Sequence, residues 1–574
     1  MKNIFATIQI LLFCFTLHGQ TFEEVSASYG ITASYGTGIF GGGVSFCDFN
    51  GDGWDDLTFA NSEGDSLLFF LNHEGVLQQI HSLVPNTEEA KQVLWVDYDN
   101  DGDKDLFVTA AYGVNRLYNN AGNLVLNDVT AAAGLPLADF TTFGAVFGDF
   151  DRDGWLDLYL SNRETSDYTN YLFRNQGDGT FMNVTDEANV GHGYLQSFCA
   201  AFLDYNLDGL PDIYSSNDKQ AESTLFQNMG NGVFENVGAS TDAHLFINAM
   251  SVTPGDYDGD GDLDIYLTNT AAGNKLLRNE NGAGFVEIAE QAGVAMFSSS
   301  AWSANFLDLD NDSDLDLYVG DGVATQNNAL FLNHNDGTFS STQLSGDDGS
   351  SFSNAIGDFN NDGLPDIAVN CKNCPNFRLW KNENSENHHW LKVELEGTES
   401  NRDAIGSWIE VYAGGEKQVR YTHCGTGYLA QNSSRIHFGL KNALVVDSVI
   451  VKWLSGTKEK LTEVPVNQTI KIVEGSTLIT AVSEISESSS FSISPIFPNP
   501  LVGDAIRFEV FSTKRQVAEL RVFDPKVGVI IEKTIELHSG ENRVKLTDLQ
   551  WSPGMYFIVL KSQNGFASAR VVVL

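Results

Sequence analysis

The stretch Asp97-Tyr-Asp-Asn-Asp-Gly-Asp-Lys-Asp105-Leu106 puts carboxylates at positions 1, 3, 5 and 9 of a short loop, with glycine at position 6. Alternate side chains converge on one point, and glycine permits the sharp turn that brings them there. Position 7 would add a backbone carbonyl. This donor set suits a hard cation that takes six to eight oxygens, and calcium is the expected one.

Seven variants of the loop occur, starting at Asp48, Asp97, Asp149, Asp204, Asp256, Asp308 and Asp358, spaced 49 to 55 residues apart. The predicted side-chain ligands are Asp48, Asn50, Asp52 and Asp56; Asp97, Asp99, Asp101 and Asp105; Asp149, Asp151, Asp153 and Asp157; Asp204, Asn206, Asp208 and Asp212. They continue with Asp256, Asp258, Asp260 and Asp264; Asp308, Asp310, Asp312 and Asp316; Asp358, Asn360, Asp362 and Asp366. Ser313 replaces the glycine of the sixth copy, which is expected to be strained or weaker. One copy alone reads equally well as a polar turn rich in Asp and Gly. Recurrence favours metal, because carboxylates packed together without cations repel one another. Up to seven structural calcium ions are expected.

The loop begins like an EF-hand loop but closes with Asp at position 9 instead of Glu at position 12. Apolar alternation follows at once, as in Leu106-Phe-Val, Leu158-Tyr-Leu and Leu317-Tyr-Val, which is a strand signal. Each loop therefore joins two strands. The strand before it is rich in small residues (Gly43-Val-Ser-Phe, Ala200-Ala-Phe-Leu), which suits a crowded innermost strand. A second motif, Leu-Phe/Tyr-x-Asn, a glycine turn and Phe-x-x-Val, predicts a hairpin, as in Tyr171 to Val184. Four strands per period make a propeller blade. The seventh repeat lacks its fourth strand, and Thr21-Phe-Glu-Glu-Val-Ser supplies one. Phe22 to Ser26 is thus expected beside Arg378 to Asn382, closing a ring without exposed edges. The predicted fold is all-β: a seven-bladed β-propeller over 21–387, then further β domains.

A net charge of −43 makes nucleic acid an unsuitable partner. Residues 1–20, with Lys2 and the apolar run Ile4 to Leu17, read as a signal peptide, and no later stretch is apolar enough to span a membrane. Five cysteines remain after it, an odd number. Cys47 and Cys199 lie in apolar strands and are expected in the core, and Cys371-Lys-Asn-Cys374 is expected to form a small loop disulfide. No role is evident for Cys424.

The repeats resemble the FG-GAP/VCBS repeats of integrin α-subunit propellers and of the cartilage acidic protein family. The resemblance implies calcium in the loops and a role in recognition or scaffolding. Residues 388–475, with His389-Trp-Leu-Lys-Val, Gly425-Thr-Gly-Tyr-Leu-Ala-Gln431, Ile436-His-Phe-Gly-Leu440 and Val449-Ile-Val-Lys-Trp453, resemble the ASPIC/UnbV domain. Their alternation predicts a small sandwich or barrel. Arg402, Asp403, Tyr428, Gln431 and His437 are polar enough for a site there; the plainer expectation is that they fix the domain's own turns and strand ends. Residues 476–490 read as a linker. Residues 491–574, opening with Ile496-Phe-Pro-Asn-Pro500, resemble a type A C-terminal sorting domain of the Bacteroidota type IX secretion system. That implies an immunoglobulin-like sandwich, handling by that machinery, and a secreted or cell-surface product.

Hydrolase, zinc-protease and Walker motifs are absent, and Gly36-Thr-Gly-Ile-Phe-Gly41 leads into a strand rather than a helix. Candidate binding residues are the aromatics entering the innermost strands: Tyr35, Phe40, Phe140, Phe143, Tyr194, Phe246, Phe297, Trp302 and Phe352. Near a propeller funnel these suit stacking on sugars or gripping a protein; core packing explains them equally well. The expected function is a non-catalytic, calcium-loaded platform for glycan or protein ligands. A polysaccharide-active enzyme with a funnel site and a structural docking partner stay open as alternatives.

Overall fold

The structure is a computed structural model that describes residues 22–36, 38–85, 88–163, 169–191, 193, 195–323, 327–372, 374–384, 388–476, 479–482, 491–493, 506–524, 528–546, 554–562 and 565–573. The expected signal peptide, Tyr194 and the Pro498-Asn-Pro opening lie outside the described residues.

Seven sheets follow the seven repeats, antiparallel among the repeats' own strands. Their first strands are Val44–Cys47, Ala90–Val96, Thr142–Gly148, Ser197–Leu203, Thr253–Gly255, Ala301–Leu307 and Ser350–Gly357. Each packs against the next, and the last packs against the first. Within a sheet the strands meet in sequence order, as in Leu158↔Phe173 and Phe173↔Asn183. The apolar residues that follow each loop, Leu57, Leu106, Leu158, Ile213, Ile265, Leu317 and Ile367, are all buried between neighbouring sheets. Each such side chain contributes roughly 1.5–3 kcal/mol. The seventh sheet takes its fourth strand from the N-terminal side: Phe22 pairs with Asn382, Glu23 with Lys381 and Glu24 with Trp380. The strand is shorter than expected, because Ser26 turns into a 3-10 helix (Ser26–Tyr29), and its hydroxyl accepts from the Leu379 N–H at 2.7 Å.

Two recurrent side chains join each loop to its surroundings. The position 9 carboxylate accepts from the N–H of position 2 and from the N–H of the Asn that ends the third strand. In the third repeat, Asp157 accepts from Phe150 at 3.0 Å and from Asn175 at 2.8 Å. The Asn amide then reaches the preceding repeat: Asn175 donates to Tyr98 O, Asn228 to Phe150 O, Asn279 to Tyr205 O, Asn333 to Tyr257 O, Asn382 to Leu309 O and Asn72 to Phe359 O, at 2.6–2.9 Å. The Asn of the Leu-Phe/Tyr-x-Asn motif thus ties neighbouring sheets together through buried hydrogen bonds.

The next unit is a sandwich. One sheet holds Trp390–Glu396, Ile436–Gly439, Gln468–Val473 and Ile479–Val482; the other holds Trp408–Ala413, Glu416–Tyr421, Val445–Lys452 and Lys458–Pro465. Leu391, Val393, Ile409, Phe438, Val449, Val451 and Ile470 fill it. Strand Ile479–Val482 pairs with Gln468–Val473, so the sheet runs into the expected linker, where apolar Ile479 and Val482 allow one more strand. The last unit has a three-stranded and a four-stranded sheet over the core of Ile506, Phe508, Leu520, Ile558 and Leu560. Cys371 and Cys374 are disulfide-bonded, and Cys47, Cys199 and Cys424 are free and buried.

Candidate metal centres and the filled channel

Each loop wraps around its own centre. The position 1 carboxylate accepts from the backbone N–H groups of positions 5 and 6: Asp97 from Asp101 at 3.0 Å and Gly102 at 2.9 Å, Asp358 from Asp362 at 3.1 Å and Gly363 at 2.7 Å. This winding forces position 4 into the left-handed region in all seven loops, with φ between 54° and 73°. Ser313, in place of glycine at position 6, sits at φ 76°, where a side chain is strained, as the sequence leads one to expect.

Carboxylate oxygens close to within 4.8 Å of one another in four loops: Asp97, Asp99 and Asp101; Asp149, Asp151 and Asp157; Asp256, Asp258 and Asp260; Asp308, Asp310 and Asp312. The inward oxygens of Asp99, Asp151 and Asp258 are buried with no hydrogen-bond partner. Burial, with the neighbouring carboxylates adding to it, lifts Asp149 to about 7 and Asp308 to about 8. Oxygen donors that are buried, orphaned and mutually repelling fit a hard divalent cation. Loops 1, 4 and 7 differ, because Asn stands at position 3. Its amide donates to the position 5 carboxylate: Asn50 to Asp52 at 3.0 Å, Asn206 to Asp208 at 2.9 Å and Asn360 to Asp362 at 2.7 Å.

The sandwich of residues 390–482 sits against the loops. Its donors meet the outer oxygen, Oδ2, of the position 1 Asp. Arg435 reaches Asp48 at 2.7 Å, Lys392 reaches Asp358 at 2.9 Å, Trp408 Nε1 reaches Asp204 at 3.2 Å, the Gly439 N–H reaches Asp308 at 3.0 Å, and Arg402 approaches Asp97 at 3.7 Å. Position 4 is met as well. Asn100 Oδ1 accepts from the Arg402 N–H, Asn361 Oδ1 accepts from Lys392, Arg152 donates to Leu454 O, and Asn311 pairs with His437. Asp403 accepts from the Asp97 N–H at 3.0 Å and from Lys104. Trp390 covers Gly363, where an added Cβ would lie 1.9 Å from the indole nitrogen. A cavity of about 160 Å³ remains between the two units, lined by Asp256, Asp308, Arg420, His423, Arg435 and His437.

From this sandwich, Cys424 to Ser433 runs between the innermost strands. Cys424 bridges Phe147, Gly427 bridges Val252, and Ala430 and Gln431 pair in parallel with Val44 and Ser45. Asn432 and Ser433 bond the Ile356 backbone. Gly425 and Gly427 have positive φ and lie where a Cβ would stand 2.8 Å from Ala145 O and Ala304 O, so only glycine fits. Gly43, just before the first strand of the first sheet, is closer still to Leu429 O, at 2.3 Å from its would-be Cβ. The small residues of the innermost strands thus make room for this inserted segment.

Arg402, Asp403, Tyr428, Gln431 and His437 therefore do not merely fix their own domain's turns; all five contact the repeat region. Of the two readings of the aromatics entering the innermost strands, the funnel lining is corrected for most of them in favour of packing. Tyr35, Phe140, Phe143, Trp302 and Phe352 are buried. Phe40 stacks on Trp302, and the rings of Phe143, Phe198, Trp302 and Phe352 close around Tyr428 and Leu429, both fully buried. Among the described ones, Phe246 and Phe297 stay exposed, at 62% and 59%. Sequence reasoning missed the position 4 residues and the outer oxygens. The only signal was that polar or charged residues (Asn100, Arg152, Asn311, Asn361) recur at a position with no role in the loop itself.

Family models for the FG-GAP-like repeat match 48–108, 97–160, 204–267, 256–319 and 320–369; ASPIC and UnbV matches 397–478; the secretion system C-terminal sorting domain matches 495–574. The chain thus carries FG-GAP-like repeats, an ASPIC/UnbV domain and a secretion system C-terminal sorting domain. It is homologous to cartilage acidic protein 1, with 24% identity to that of Xenopus tropicalis over 334 residues and 25% to that of Homo sapiens over 341. Each match covers 52% of this chain and about half the length of the relative, 50% in both. Among solved structures, the BP39L lectin of Burkholderia pseudomallei aligns with TM-score 0.41 and 9% identity, covering 57% of this chain and 91% of that one. The sorting domain marks export by the type IX secretion machinery to the cell surface or extracellular space. No described helix is long and apolar enough to cross a membrane.

Proposed function

We propose that this protein is an extracellular recognition or adhesion platform, a seven-bladed propeller whose loops hold calcium as a structural ion. The loop carboxylates would be the ligands, and calcium would hold each loop's winding against their repulsion. Glycan or protein ligands are the expected partners. The observation that carries the reading is the filled channel. With Tyr428 and Leu429 on the axis and the ASPIC/UnbV domain over the loops, the surface left for a ligand is the opposite face, formed by the segments that enter the innermost strands. Phe246 and Phe297 are exposed and lie in the segments that lead into the strands Thr253–Gly255 and Ala301–Leu307. Exposed rings held on a rigid scaffold suit stacking on sugars or anchoring in a protein pocket. The inserted segment weighs against the polysaccharide-active alternative, which placed its site in a funnel.

The test is a binding screen of the full chain in calcium against polysaccharides and surface proteins, comparing wild type with the Phe246→Ala/Phe297→Ala double variant. Calcium-dependent binding that weakens at least tenfold in the variant supports the reading. Silence from folded, calcium-loaded protein, or a hit that both forms bind equally, overturns it.

A further inference from the structure

The position 1 Asp of a loop has two faces. Its carboxylate is fastened by the N–H groups of positions 5 and 6, within the winding that gathers the ligand oxygens. Its outer oxygen also accepts a donor from the ASPIC/UnbV domain, 34 residues away in sequence in the nearest case, Lys392 and Asp358, and 387 in the farthest, Arg435 and Asp48. The arrangement recurs in loops 1, 4, 6 and 7 with Arg435, Trp408 Nε1, the Gly439 N–H and Lys392, and Arg402 approaches the same oxygen in loop 2. Two of these donors, Trp408 Nε1 and the Gly439 N–H, carry no charge, so the contacts are not simply cations drawn to an acidic surface.

Position 4 repeats the pattern. Asn100, Arg152, Asn311 and Asn361 are not ligand candidates, and each is turned outward by a left-handed backbone that exists only because the loop is wound. All four bond the ASPIC/UnbV domain. The Asn311 carbonyl also accepts from the Lys441 N–H at 2.8 Å. What the domain recognises is therefore the wound shape of the loops, at two positions per turn.

From this we infer that calcium loading of the loops and seating of the ASPIC/UnbV domain, with its inserted segment Cys424 to Ser433, are one coupled equilibrium. The inference rests on the calcium reading above. Loops that lose their winding lose the outward oxygen and the left-handed position 4 together, and the seated domain loses its footing. Thermodynamic reciprocity then requires that donors in the ASPIC/UnbV domain raise the calcium affinity of the loops they touch. The loops act as the latch that keeps the channel filled.

Hydrogen exchange on the full chain tests this, with bound metal measured in parallel. Amides of 424–433 and 439–441 should lose at least tenfold of their protection when calcium is stripped, while those of 506–512 and 540–546 in the C-terminal sandwich serve as reference. A second arm uses Arg402→Gln/Trp408→Phe, which alters donors but no loop ligand; the calcium concentration that half-restores protection should rise at least threefold. If the purified chain binds no calcium, the calcium reading and this inference fall together. If calcium is bound and removed yet 424–433 stays protected, the inference alone falls. If stripping opens the whole repeat region at once, the second arm decides, and an unshifted midpoint overturns the coupling.

Discussion

Gln431 and Trp95 exchange two hydrogen bonds: Gln431 Oε1 accepts from the Trp95 N–H at 2.8 Å, and Gln431 Nε2 donates to the Trp95 carbonyl at 2.6 Å. The side-chain amide stands in for a neighbouring strand's peptide group, and Ser45 Oγ adds a third bond to Oε1 at 2.7 Å. This pairing, across 336 residues of sequence, anchors the inserted segment to the first and second sheets. Gln431→Leu would keep the bulk and strand the Trp95 N–H and C=O in a dry site. Each stranded group costs about 1–3 kcal/mol, so a loss of about 3 kcal/mol is expected in urea unfolding of the full chain. A loss below about 1 kcal/mol would show that the amide is dispensable.

Lys392 and Asp358 are both buried and pair at 2.9 Å. With calcium chelated, Lys392→Met leaves the Asp358 carboxylate beneath the sandwich without a cation. Breaking such a pair from one side costs about 3–5 kcal/mol, more than the packing change itself. The variant should unfold at markedly lower urea than wild type, and an unchanged midpoint would mean that solvent reaches Asp358.

Calcium titration by calorimetry is expected to resolve two classes of site. The four loops with converging carboxylates (2, 3, 5 and 6) should fill first, with loop 6 the weakest of them because Ser313 strains its turn. Loops 1, 4 and 7 must give up the Asn-to-Asp hydrogen bond and offer one charge fewer, so they should be weaker. Asn206→Asp should move one site into the tight class. A single class of seven equal sites would contradict this order.

Thermal stability should rise with calcium. A ligand that binds only the folded state adds about 2.7 kcal/mol per site at a hundredfold excess over its dissociation constant. Scanning calorimetry with calcium and with chelator checks this; coincident transitions would remove calcium from the structural role.

His423 Nδ1 donates to the Phe202 carbonyl, 3.1 Å away, and burial lowers its pKa to about 4. Tyr421 packs on its ring, and Asp256, Asp308 and Arg420 line the same cavity. Because the folded value lies below the unfolded one near 6.5, the unfolded chain gains a proton first as the pH falls. Stability is full above about pH 6.5 and declines towards pH 4. His423→Gln should flatten part of that decline in urea midpoints taken at pH 7 and pH 5, and an identical slope would assign the decline to other groups.

The repeat was legible because its determinants are local and repeated. Loop ligands lie within nine residues of one another, strand alternation has period two, and hairpin turns carry their own glycines. Even the pairing of Phe22–Glu24 with the strand at Trp380–Asn382 followed, since a repeat lacking one strand and an unpartnered strand at the other end leave one economical match. The tertiary structure alone decided what the channel holds. The contacts of Gln431 with Trp95, Tyr428 with Phe40 and Arg435 with Asp48 span more than 300 residues and repeat at no period. Aromatic residues at the ends of strands look the same in sequence whether they ring an open funnel or close on a tyrosine from another domain, because composition records apolar surface and not what covers it. Only packing tells these apart.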